Sequence, residues 1–184
     1  MTTNKVQPTI GIIGAGAIGG FYGALLARAG FEVHFLLRSD YEHVAKNGLT
    51  VCSKVNGDLH LPHVHAHQSA AAMPKCDWLL IGSKATRNAD LVPTLIQTAA
   101  TGAKIIVLQN GLGIEDELRP LLPDHLHLIG GLCYVCLQRT APGLIDHIGA
   151  GLVRVGYHSG LARNLEERHA ITRSAAALRK QRRI

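Results

Sequence analysis

GIIGAGAIGG, residues 11–20, holds five glycines in ten positions, with isoleucine at 12, 13 and 18. Gly14, Gly16 and Gly19 satisfy G-x-G-x-x-G, a spacing whose meaning depends on what flanks it. Residues 9–13 form a short apolar run, which predicts a buried strand. Residues 17–29 are apolar and alanine-rich and stop at Gly30, which predicts a helix. Residues 32–37, EVHFLL, are β-branched and aromatic, which predicts a second strand. Strand, glycine turn, helix and strand within about 30 residues make a parallel crossover unit. In that setting Gly14 permits a tight turn, Gly16 lets a pyrophosphate approach the main chain, and Gly19 lets helix and strand pack closely. Free N–H groups around Ala15, Ala17 and Ile18, with the dipole at the helix start, then attract the phosphates.

The end of the second strand indicates which dinucleotide. An acid there would bind the ribose 2′-hydroxyl, but FLLRSD places Arg38 at that point. A guanidinium offers a fork of N–H donors to a 2′-phosphate, so NADP(H) is favoured over NAD(H). Ser39 adds a hydroxyl. Asp40 is the competing ribose partner if the strand runs longer. Parallel strands present their C-terminal ends along one edge. The later strand ends therefore bring Lys84, after WLLIGS, and Asn110, in LQNGLG, to the same crevice. Lys84 adds positive charge near the adenosine phosphate. Asn110 can donate and accept hydrogen bonds at the nicotinamide or the substrate.

Further along, residues 41–47 predict a short helix stopped by Gly48. Asn56–Gly57 predicts a turn between two short strands within residues 49–67. Strands are predicted at 78–81 and 104–108, and helices at about 88–99 and 114–121. Pro93 kinks or delimits the first of these helices. Short strands are predicted at 126–129, 132–137, 144–148 and 152–155, with a turn at Pro142–Gly143. A terminal helix is predicted over 165–178. The expected fold is α/β, a Rossmann-like parallel sheet with helices on both faces and later strands antiparallel or mixed. Residues 1–160 form the nucleotide-binding domain, and residues 161–184 a terminal helix and basic tail.

Composition limits the alternatives. Of 184 residues, 47% are hydrophobic and 17% charged, which describes a buried globular chain rather than a disordered one. No apolar run is long enough to cross a bilayer, and the N-terminus has no secretory pattern, so a cytoplasmic protein is expected. Seven of the 19 basic and two of the 13 acidic residues lie from Leu161 onward, so the tail carries five of the six net positive charges. The body is nearly neutral and no aromatics interleave with the tail charges, which argues against nucleic acid. Cys133 and Cys136 match C-x-x-C, but on a strand positions i and i+3 face opposite ways. His63, His65 and His67 alternate, and are read as a solvated edge rather than a metal site. His147 is read as structural.

GAGAIGG, LLR, SKATRNAD and LQNGLG, in that order, resemble the ketopantoate reductase family (ApbA/PanE) over about residues 9–157. DHIGAGLVRVG, residues 146–156, is similar to the closing strands of that family's nucleotide domain. The resemblance implies reduction of 2-dehydropantoate, a small 2-oxo acid, to pantoate with NADPH in pantothenate and coenzyme A synthesis. It implies that Gly14, Gly16 and Gly19 hold the pyrophosphate, that Arg38 and Lys84 face the 2′-phosphate, and that Asn110 sits at the cofactor–substrate junction. Family members continue into a helical C-terminal domain carrying a catalytic lysine and a substrate-binding glutamate; no position of this chain matches either. A truncated chain with low turnover is therefore expected, as are exposed apolar surface and self-association as a homodimer or by aggregation. A non-catalytic NADP(H)-binding module and a reductase of another 2-oxo acid are the alternatives.

Overall fold

A computed structural model describes residues 7–177. Its centre is the crossover expected from the glycine stretch: β1 (Ile10–Ile13), α1 (Ala17–Arg28) and β2 (Val33–Leu36), with β1 and β2 parallel. There follow α2 (Tyr41–Asn47), β3 (Leu49–Ser53), β4 (Leu59–Leu61), β5 (His65–His67), β6 (Cys76–Ile81), α3 (Val92–Thr98), β7 (Ala99–Val107), α4 (Ile114–Leu118), β8 (His127–Ala141), β9 (Leu144–Ser159) and α5 (Leu165–Ala177). Nine strands form one sheet in the order β4-β3-β9-β8-β7-β6-β1-β2-β5. The run from β5 to β8 is all parallel and has the doubly wound order 3-2-1-4-5-6. Two pairings, β3–β4 and β8–β9, are antiparallel.

Both faces of the parallel strands are buried, which is why their sequences are almost continuously apolar. Along β6, Trp78 and Leu80 belong to one core, with Ile12, Phe21, Phe35 and Ile145. Leu79 and Ile81 belong to the other, with Ile13, Leu95, Ile105 and Leu118. Helix α1 fills the first core and touches strands from both ends of the sheet, β2 on one side and β3, β4 and β9 on the other. The sheet is therefore curled around α1. Gly20 permits this: a β-carbon there would lie 2.5 Å from Ile145 Cδ1 of β9. At the next residue, the Phe21 ring packs 4.5 Å from that of His147, also on β9. His147 is buried and bonded to Ser53 Oγ at 2.8 Å, in keeping with a structural role.

The structure corrects several boundaries. The helix expected at 88–99 is divided: Ala85–Leu91 is a 3-10 stretch and α3 starts at Val92. Pro93 in a continuous α-helix would drive its ring into the carbonyl of Ala89, four residues earlier. β7 starts at Ala99, not 104, because Ala99 pairs with Cys76 across a bulge. The four short strands expected after residue 125 are two long ones, joined by the Pro142–Gly143 turn. Bulges carry these strands through glycines that interrupt the apolar pattern. Gly151 has φ +121° and Ala150 φ +61°, where the register slips between Tyr134 and Val135. The C-x-x-C cysteines face opposite ways: Cys133 packs on the core and Cys136 is exposed. The last basic residues of the tail, 178–184, lie outside the described residues. Among the described residues no helix is long and apolar enough to cross a membrane.

Candidate dinucleotide site

Strands β1, β2, β6 and β7 are mutually parallel, so Gly14, Arg38, Lys84 and Asn110 all follow strand ends on one edge of the sheet. The crevice opens where the chain order reverses, between β1 and β6. The three motif glycines have different surroundings. Gly14 has φ +87°, and a β-carbon on it would lie 2.7 Å from the backbone nitrogen of Ser83 in the loop after β6. At Gly19 a β-carbon would collide with the carbonyl oxygen of Gly14 and lie 2.9 Å from Ile12 Cγ2. At Gly16 a β-carbon would meet nothing within 4 Å, and φ is −73°. Two of the glycines are thus required by protein packing, while the third borders open space.

That space lies at the start of α1. Gly16 is its N-cap residue, no side chain caps it, and no acid stands in its first turn. Uncapped N–H groups at the positive end of a twelve-residue helix suit an anion. Ala15, Ala17 and Ile18 surround the opening half-buried, and small side chains at 15 and 17 keep it wide. The residues present fit a dinucleotide pyrophosphate.

Arg38 stands two residues beyond β2 and is exposed. Asp40, the competing ribose partner in the sequence, is engaged within the protein. It is 6% exposed, and Arg139 Nη1 donates to both its oxygens at 2.6 and 2.7 Å. Ser39 Oγ also donates to it, at 2.8 Å. Burial alone would raise the Asp40 pKa; the hydrogen bonds from Arg139 and Ser39 and the Arg139 charge bring it below the ordinary value. Its charge is neutralised inside the protein, which leaves Arg38 as the charged side chain exposed at this strand end.

Lys84 is exposed where the 3-10 stretch begins, and Asn110 is exposed in the loop after β7. The sequence reading missed Gln109, whose Nε2 donates to Ser83 Oγ at 3.2 Å and Asn88 Oδ1 at 2.9 Å. It ties the loop bearing Asn110 to the loop bearing Lys84. Gln109 and Asn88 both lie within the quoted motifs, but their contact spans 21 positions and no periodicity marks it.

The histidines form a second cluster. His63 is exposed, while His65 and His67 lie on edge strand β5. They are not simply solvated: His67 Nε2 is 2.9 Å from Nδ1 of buried His34, and His65 stacks on the same ring at 4.7 Å. Among the described residues no group of three or more His, Cys, Asp or Glu side chains is arranged to hold a metal ion.

The family model described as "Ketopantoate reductase PanE/ApbA" matches residues 10–160. A 2-dehydropantoate 2-reductase of Nostoc sp. is 45% identical over 148 residues, covering 80% of this chain and 46% of that protein. The solved structure of 2-dehydropantoate 2-reductase from Geobacter metallireducens superposes with a TM-score of 0.80 at 41% identity, covering 93% of this chain and 55% of the other. A D-mandelate dehydrogenase solved with NADH and anilino(oxo)acetate shares the fold, with a TM-score of 0.76 at 19% identity. The chain spans about half the length of the curated relatives it matches. With its glycine turn, strand order and switch-point crevice, the chain belongs to the ApbA/PanE ketopantoate reductase family.

Proposed function

We propose that this chain is the NADPH-binding half of a reductase that converts 2-dehydropantoate to pantoate, the step that serves pantothenate and coenzyme A synthesis. The observation that carries the reading is the pairing of open space at Gly16 with an exposed guanidinium at the neighbouring strand end, where Asp40 is paired internally with Arg139. The pyrophosphate lies against the start of α1. Arg38 and Lys84 hold the 2′-phosphate, Arg38 through its planar fork and Lys84 as a point charge. The nicotinamide, when bound, supplies the hydride for the C2 carbonyl. Asn110 orients the reacting ends, and Gln109 sets the height of its loop through Ser83 and Asn88.

The test is a fluorescence titration of Arg38→Ala against both reduced cofactors. A charge-assisted hydrogen bond contributes about 1.5–3 kcal/mol, so NADPH binding should weaken about tenfold or more. NADH binding should stay within about twofold, since NADH offers no 2′-phosphate. Equal losses for the two cofactors would overturn the assignment.

A further inference from the structure

Beside the nucleotide crevice lies a cleft of about 390 Å³, between the loop after β7, helix α4 and the β8–β9 hairpin. Gln109 and Gly111, which flank Asn110 in sequence, form its near wall. Its floor is strand backbone. Gly130 of β8 faces Gly156 of β9, and Gly131 lies next to Gly130. A β-carbon at Gly130 would sit 2.9 Å from Glu115 Oε1, and one at Gly131 2.7 Å from Leu108 Cδ2. Gly131 points to the opposite face, into the core, so the hollow is kept open by the facing pair Gly130 and Gly156, where a β-carbon at Gly156 would meet nothing within 4 Å. The volume is at the small end of ligand pockets, which suits a compact molecule rather than a second nucleotide.

Two charged side chains line this hollow, Glu115 and Arg154. The Arg154 guanidinium lies over the Tyr134 ring, 5.6 Å from its centroid. Among the described residues no acid forms an ion pair with it. An arginine braced by an aromatic ring loses less freedom when it takes up a ligand, and its fork matches a carboxylate. Glu115 can accept a hydrogen bond from a hydroxyl.

We infer that Arg154 is the carboxylate-binding residue of the substrate site, holding the acid end of a short hydroxylated 2-oxo acid in this cleft with Glu115 as acceptor for its hydroxyl. This rests on the proposed function, because it places the substrate beside the Asn110 loop. The reader of the site is then a residue on β9, far in sequence from the nucleotide motifs.

The test measures binding of 2-dehydropantoate by ligand-observed NMR to the NADP-loaded chain, for the wild type, Arg154→Met and Arg154→Lys. Loss of the bidentate charged contact should weaken binding about tenfold or more in Arg154→Met, with Arg154→Lys intermediate. The methyl ester of the same oxo acid, which lacks the carboxylate charge, should bind wild type and Arg154→Met alike. NADPH affinity and thermal midpoint should not change in either variant, since Arg154 is exposed and away from the glycine turn. Equal oxo-acid binding by wild type and Arg154→Met, or no oxo-acid binding by wild type that holds NADPH, would overturn this inference while leaving the cofactor assignment intact. Failure of the wild type to bind NADPH would instead sink the proposed function, on which this inference rests.

Discussion

Gly16 and Gly19 occupy equivalent places in one motif yet should respond differently to a methyl group. Gly16→Ala adds a β-carbon that touches no protein atom, at a φ any residue adopts. It should leave the thermal midpoint unchanged and weaken NADPH, because the methyl group would enter the space proposed for the pyrophosphate. Gly19→Ala forces a β-carbon onto the Gly14 carbonyl and should lower stability by about 1–3 kcal/mol as an overpacked site. Thermal melts beside NADPH titrations of the two variants check this; a destabilised Gly16→Ala that still binds NADPH would contradict it. These glycines, Arg38 and the strand-end positions of Lys84 and Asn110 were legible in the sequence, because motif and strand spacing fix them. Arg139, Gln109 and Arg154 were not. Arg139 meets Asp40 across 99 positions, and such contacts exist only once the chain has folded.

At the scale of elements, local pattern located β1, α1, β2 and α2 to within a residue or two. It failed where tertiary pairing overrides propensity. Residues 99–103, AATGA, carry little strand signal, yet they extend β7 because Cys76 offers Ala99 a partner. Glycines divided β8 and β9 on paper, whereas bulges unite them in space. The β2–β5 edge gives a pH dependence. Burial first, then the nearby His34 and His65, hold the His67 pKa below its ordinary 6.5. Burial, then Lys104 and Arg119, do the same for His127. The unfolded chain therefore takes up these protons first. Stability is full above about pH 6.5 and falls as pH drops below it toward the folded values. Asp40 adds a separate phase of the same direction, intact above its ordinary 3.8 and lost as pH falls through its lower folded value. Urea midpoints should decline from pH 7 to pH 5, and His67→Gln should shallow the slope. A flat profile over that range in the wild type would refute the histidine contribution.

At the scale of the molecule, the sequence indicated a parallel sheet but not that the sheet curls. Curling depends on β9 returning beside β3 and closing over α1, a pairing of segments about 94 residues apart, as Ser53 and His147 are. Closure presses α1 into the core along its length while its N-terminal end stays open at the switch point. The glycine turn, the paired Asp40 and the exposed Arg38 are then parts of one edge, and the proposed preference for NADPH belongs to that edge rather than to any single residue. The most direct measurement is the dissociation constant of the wild-type chain for NADPH and for NADH, taken side by side at one ionic strength. NADPH should bind tighter by about tenfold or more, with the gap narrowing as salt screens the Arg38 and Lys84 charges. Equal affinities, or no binding of either cofactor to the folded chain, would contradict it.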